Sequence, residues 1–407
     1  MIARRASITA AVCICLLVAA VVGSQVKVEQ WDPESTRATA AHSRDNVSSV
    51  HFTASGDFSS SPQAVSVLEQ VGDIDPDLHL ALGDLSYGAA GSEQAWCDLV
   101  TSRTGVEFPF QLISGNHESH GESGHIDRFA ACLPNRLPGL VGQYGRQYYV
   151  DVPRDEPLAR FIMISPALTF DDGAWSYEEG SPRYRWTENA INSARDSGVP
   201  WVVVGMHKPC LSVGRYSCEP GTDLLHLLLK KRVDLVLSGH EHIYARSRQL
   251  ALSTSCTSLQ PEDYAPHCVS DDDGDMRKRA GTVFAIVGTG GAPLRDVNPR
   301  DTEASYVVKR SGLNSQPAWG NLDVVVNDES LRVRFRPVPG SDFTDSFTIT
   351  DAARGNSAGP WSTAGRSWRY SVDGEGHIIV TSTEGRSEGH LKEVAARAHD
   401  VRRPAPL

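Results

Sequence analysis

Residues 234–247 read DLVLSGHEHIYARS. The apolar run Leu235-Val236-Leu237 is short, unbroken and closed by Ser238-Gly239, which predicts a buried strand ending in a turn. Directly after the turn come His240 and His242. Alternate residues of an extended segment face one side, so two imidazoles are presented together at the end of a strand.

The same unit recurs along the chain. The apolar run 50–54 leads into Ser55-Gly56-Asp57, and 78–82 into Gly83-Asp84-Leu85-Ser86-Tyr87. The run 110–113 leads into Gly115-Asn116-His117-Glu118, and 201–205 into Met206-His207. Runs at 160–164 and 283–287 complete the set. Helical periodicity lies between several of these runs, at 62–71, 92–101, 187–197 and 222–231. Alternation of strands and helices predicts an α/β fold. Consecutive strands at 322–326, 331–336 and 343–349 make the sheet system mixed. In such folds, sites form at the carboxyl ends of strands.

A single Gly-Asp after a strand is ordinary turn chemistry, and a single histidine is ordinary surface or core. Five strand ends bearing Asp57, Asp84, Asn116, His207, and the His240/His242 pair are a different matter. These are oxygen and neutral-nitrogen donors with no thiolate among them, a set suited to Zn, Mn or Fe. They are more than one tetrahedral ion needs. Two ions sharing a carboxylate use them all, and a pair of metals roughly 3.5–4 Å apart can clamp a phosphoryl group and supply hydroxide at neutral pH.

In order and spacing these motifs resemble the metallophosphoesterase (calcineurin-like) superfamily, and within it the purple acid phosphatases. The family pattern is an Asp motif, GDxxY, GNH[DE], VxxH and GHxH. The chain carries Gly56-Asp57, Gly83-Asp84-Leu-Ser-Tyr87, Gly115-Asn116-His117-Glu118, Val204-Gly-Met-His207 and Gly239-His240-Glu-His242. Val287-Gly-Thr-Gly-Gly291 and Trp319-Gly-Asn-Leu322 resemble later segments of that family. The resemblance covers about 48–350. It implies an α/β metallo-dependent phosphatase sandwich of two mixed β-sheets flanked by helices. It also implies a secreted enzyme hydrolysing phosphate monoesters by in-line attack of a metal-held hydroxide.

Position by position, the resemblance implies one metal held by Asp57, Tyr87 and His242, a second held by Asn116, His207 and His240, and Asp84 bridging them. The broader superfamily starts with Asp-x-His, but here the stretch is Asp57-Phe58-Ser59. Tyr87 compensates and points to the purple subgroup. As a hard oxygen donor it favours Fe(III), with Zn, Mn or Fe(II) as the second ion. His117 is expected beside the phosphate as catalytic electrostatic partner or proton donor, and Glu118 to orient a histidine. Larger family members carry a further histidine after VxxH. The corresponding loop here, Lys208–Cys218, has none, and His120, His125 and Arg215 are the alternatives for that role. Tyr244 and Arg246 are expected to be scaffold.

The ends of the chain and its bulk chemistry set the context. Arg4 and Arg5, the apolar run Ile8–Val22, and Gly23-Ser24 read as a secretory signal over 1–24. The run is short of the roughly 20 apolar residues of a membrane helix, and an uncleaved anchor is the alternative. Residues 25–47 read as a linker, with a glycosylation sequon at Asn46-Val47-Ser48. The catalytic domain is expected over 48–350, and 351–407 as a tail with a small hairpin around Asp373-Gly374. No stable membrane insertion is expected after cleavage. Removing Arg4 and Arg5 moves the net charge from −11 to −13. Such a surface repels nucleic acid, so the expected partner is a small phosphorylated substrate.

Six cysteines remain beyond the signal, an even number in an exported chain, which predicts disulfides. Sequence neighbours suggest 97–132, 210–218 and 256–268, among 15 possible connectivities. Gly355-Asn-Ser357-Ala-Gly359 satisfies G-x-S-x-G, but lies in a Gly/Ser/Pro stretch without the strand and helix that motif needs. Two alternatives to a monoesterase stay open: a phosphodiesterase of the same fold acting on cyclic nucleotides or phospholipids, and a non-catalytic exported metal-binding protein.

Overall fold

A computed structural model describes residues 49–271, 275–351, 366–372 and 378–384. The expected signal, linker and G-x-S-x-G stretch lie outside the described residues. So does the turn of the expected hairpin, though its strands are described: Arg366–Val372 pairs antiparallel with Ile378–Glu384.

Two sheets face each other. In the first, Val50–Ser55, Leu78–Ala81 and Phe110–Leu112 run parallel side by side. Beyond Val50–Ser55 the sheet turns antiparallel through Gly320–Val326, Ser330–Pro337 and Asp345–Thr350. In the second, Ala159–Ile164, Trp201–Met206, Leu235–Ser238 and Val283–Val287 are parallel. Antiparallel strands flank this block, with Gln147–Val152 on one side and Tyr244–Ser247 on the other. Both sheets are therefore mixed.

The parallel strands are buried on both faces, so their sequences are continuous apolar runs rather than alternating ones. Leu78–Ala81, Trp201–Met206 and Val283–Val287 are buried at every position. The sheets meet through their aromatic residues: Phe52 packs edge-on against Phe161 with centroids 4.9 Å apart.

The helices cover the outer faces. Pro62–Ile74 and Pro182–Asp196 begin alike, with a serine (Ser61, Ser181) accepting the N–H three residues on and proline next in line. This satisfies one orphan donor and pre-sets φ for the first turn. The second of these helices starts five residues before its apolar periodicity does, because the Ser-Pro cap rather than the stripe sets the boundary. Glu93–Thr104 and Thr222–Lys230 are the other long helices. Among the described residues no helix is long and apolar enough to cross a membrane. Disulfides join Cys97 to Cys132, Cys210 to Cys218, and Cys256 to Cys268, the three pairings that sequence neighbours suggest.

Candidate metal centre

The five motif-bearing strands come from both sheets, and their carboxyl ends point to one place. Val50–Ser55, Leu78–Ala81 and Phe110–Leu112 deliver residues from the first sheet; Trp201–Met206 and Leu235–Ser238 deliver them from the second. The turns are tight. A Cβ on Gly115 would stand 2.1 Å from Asp84 Oδ1, so only glycine lets these two loops touch. Asp57, Asp84, Tyr87 and His240 have φ of 60°, 50°, 52° and 68°. Left-handed conformations of non-glycine residues cost energy and gather where function requires them.

The candidate ligands form two adjoining groups. In one, the Tyr87 hydroxyl lies 3.1 Å from Asp57 Oδ1, 3.0 Å from Asp84 Oδ2 and 2.9 Å from His242 Nε2. In the other, His207 Nε2 lies 3.2 Å from each of Asn116 Oδ1, Asp84 Oδ1 and His240 Nδ1. All seven residues are thus brought together, and the two oxygens of Asp84 face different groups. A further grouping, Cys256, His267 and Cys268, is no cation site, since its two sulfurs are bonded to each other.

Two of the three imidazoles are anchored by a hydrogen bond at the outer nitrogen. His207 Nδ1 lies 2.8 Å from the Leu82 carbonyl, and His242 Nδ1 lies 2.8 Å from the Pro293 carbonyl. A carbonyl only accepts, so these nitrogens carry the hydrogen and a neutral ring keeps its Nε2 lone pair facing inward. That is how a protein prepares histidine for a metal.

The charges agree with this reading. Burial pushes Asp57 up to about 6. Burial opposes a proton on His207, yet Asp84 and then Asp57 outweigh it and raise the ring to about 9. The field that draws a proton onto His207 favours any cation seated among these oxygens. Burial, Asp57 and Asp84 together hold the Tyr87 hydroxyl far above the usual phenol range, so its release as a tyrosinate needs a strong Lewis acid. The donor set, its inward lone pairs and its negative field all fit a pair of metal ions.

His117 sits at the rim with 23% of its side chain exposed. Its ring lies 4.5 Å from that of Tyr87, Nε2 is 3.8 Å from Asp84 Oδ2, and Nδ1 is 3.0 Å from Ser123 Oγ. The expectation for Glu118 does not hold. It orients no histidine but accepts the backbone N–H groups of Asp84, Leu85 and Gly115. It lies in the first turn of Asn116–Ser119, where a carboxylate reaches back to neighbouring N–H groups. Burial and then Asp84 raise it to about 8.

Of the alternatives for the missing rim histidine, His120 Nδ1 lies 3.0 Å from the Asn116 carbonyl and the Arg215 guanidinium lies over the Tyr216 ring. Two residues that sequence reasoning passed over touch the site instead. The Tyr216 ring stacks on His240 at 4.1 Å, and Glu219 Oε2 lies 2.9 Å from His240 Nε2. Only their position, in or directly after the Lys208–Cys218 loop, hints at this. Tyr244 and Arg246 are scaffold as expected, both bonded to buried Asp345.

Comparison with known proteins gives the same picture. The calcineurin-like phosphoesterase family matches residues 50–244. Probable purple acid phosphatase 20 of Arabidopsis thaliana is 25% identical over 322 residues, 74% of this chain and 68% of that protein. A nucleotide pyrophosphatase/phosphodiesterase of Hordeum vulgare is 26% identical over 67% of this chain and 72% of its own length. The chain spans about half the length of several other curated relatives it matches, 44–46%. Among solved structures, purple acid phosphatase PPD1 from yellow lupin (Lupinus luteus) seeds shares the fold. Its TM-score is 0.56 at 19% identity, covering 75% of this chain and 55% of that one. The match over residues 50–244, just under half of the chain, and the purple acid phosphatase relatives support a metallophosphoesterase, a metal-dependent phosphoric ester hydrolase that is purple acid phosphatase-like.

Proposed function

We propose that this chain is an extracytoplasmic phosphatase that hydrolyses phosphate monoesters at a pair of metal ions. The observation that carries the proposal is the split of Asp84, whose Oδ2 faces Tyr87 and whose Oδ1 faces His207. Asp57, Tyr87 and His242 would hold one ion, Fe(III) by the hardness of tyrosinate. Asn116, His207 and His240 would hold Zn, Mn or Fe(II), with Asp84 common to both.

When bound, such a pair polarises the phosphoryl oxygens and makes water a nucleophile at neutral pH. The chain's own residues do the rest. His117, at the rim, meets the phosphoryl oxygens or gives a proton to the departing alcohol. Glu118 clamps the Asp84 and Gly115 loops at fixed separation. Leu82 and Pro293 hold their histidines in the tautomer the ions require.

Export is supported by the arginine-flanked apolar run at the start of the chain and by three disulfides, which persist in oxidising compartments. A second reading, hydrolysis of diesters, draws on the likeness to the barley protein. The complete donor set argues against a non-catalytic metal binder. The deciding experiment measures kcat/KM on a monoester and a diester of the same phenol, alongside metal content. The expected result is two ions per chain and preference for the monoester. A preference for the diester selects the second reading, and a protein with two ions but no turnover on either ester selects the binder.

A further inference from the structure

The loop that lacks the family's rim histidine contributes something else. Glu219 Oε2 lies 2.9 Å from His240 Nε2, and its Oε1 accepts a hydrogen bond from Lys208 Nζ at 2.8 Å. Glu219 follows Cys218, whose bridge to Cys210 closes the loop. Within that loop the backbone N–H groups of Arg215 and Tyr216 both donate to the buried carboxylate of Glu241. The segment is thus braced from two sides, and it sets the Tyr216 ring and the Glu219 carboxylate against the same histidine.

The consequence follows from which nitrogen is left. A carboxylate cannot donate, so the negative charge of Glu219 at 2.9 Å favours the hydrogen of neutral His240 on Nε2, although the contact is an ion pair without the alignment of a hydrogen bond. Nδ1 then presents its lone pair, and it is Nδ1 that lies 3.2 Å from His207 Nε2 inside the donor cluster. His207 and His242 present Nε2 and are anchored by backbone carbonyls. His240 presents the opposite nitrogen and is faced at its outer nitrogen by a carboxylate a third exposed to solvent.

We infer that Glu219, held by Lys208, is the positioning residue for His240 and sets the affinity of the second metal site without affecting the first. This rests on the dinuclear reading above. Outer carboxylates of this kind change metal affinity by about 10- to 100-fold.

The test is calorimetric titration of metal-stripped full chain with Zn(II), together with metal content after dialysis. E219A is expected to weaken the second binding step by about 10- to 100-fold and to leave the first step unchanged. E219Q, which keeps an oxygen facing Nε2 but loses the charge, is expected to recover part of that affinity, and K208M to lose only a part of it. Two equal steps in E219A and wild type would overturn the inference while leaving the dinuclear reading intact. Equal weakening of both steps would also overturn it, since that is the mark of a merely structural residue. Wild-type protein that takes up no ion would overturn the dinuclear reading itself and this inference with it.

Discussion

The hydroxyl of Tyr87 lies 2.9 Å from Nε2 of His242, across 155 residues of chain. One residue follows a strand of the first sheet and the other a strand of the second. Their meeting is the point at which the two sheets become one site.

Asp84→Asn removes the charge shared by the two donor groups while keeping the size of the side chain. Turnover is expected to fall about 10³-fold or more, the scale of losing several kcal/mol of charge stabilisation. Metal content should drop with it, while circular dichroism stays that of wild type. Retained activity would count heavily against the assignment.

Tyr87→Phe tests the iron reading. Iron-loaded wild type is expected to absorb in the visible range through a tyrosinate charge-transfer band, and Y87F to lose that band while remaining folded. A band that survives the substitution places the chromophore elsewhere.

His117→Ala separates chemistry from metal binding. Loss of a positioned acid costs about 10²- to 10⁴-fold. The loss should be larger for esters of poor leaving groups than for those of good ones, with metal content unchanged. Equal losses for both would remove the proton-donor role.

His79 controls part of the response to acid. It is fully buried, packed on Phe110 at 4.5 Å, and burial lowers it to about 3 from its usual 6.5. Below pH 6.5 the unfolded chain takes up a proton that the folded chain refuses. Stability is therefore lost as pH falls from 6.5 towards 3, by about 2 kcal/mol at pH 5. His79→Phe should show a smaller drop in Tm between pH 7.5 and pH 5 than wild type, whatever its stability at pH 7.5. An identical drop would refute the assignment.

Asp345→Ala probes the scaffold. Arg246 donates to both oxygens of Asp345 at 2.6 and 3.0 Å, and Tyr244 donates at 2.8 Å, all buried. Leaving Arg246 unpaired is expected to cost about 3–5 kcal/mol in chemical denaturation. The cost reflects folding rather than chemistry, so metal stoichiometry should hold in the folded fraction.

Much of this molecule is legible in its residues alone. The buried parallel strands show as apolar runs because burial on both faces permits nothing else. The seven donors show because each follows such a run through a turn. The cysteine pairs show because near neighbours bonded. The Lys208–Cys218 loop and its sequel were opaque, and so were Glu118 and Glu219. A carboxylate carries no mark of whether it will meet a backbone N–H, as Glu118 does, or an imidazole, as Glu219 does.

The sequence by itself determined which atoms are available: oxygen and imidazole donors at strand ends, spaced by whole strand–helix units. Only the tertiary structure decided how they divide. Which oxygen of Asp84 faces Tyr87, which nitrogen of His240 turns inward, and which loop braces it depend on how two sheets pack across more than a hundred residues. Local preferences of φ and ψ reach only a few residues, and packing supplies the rest.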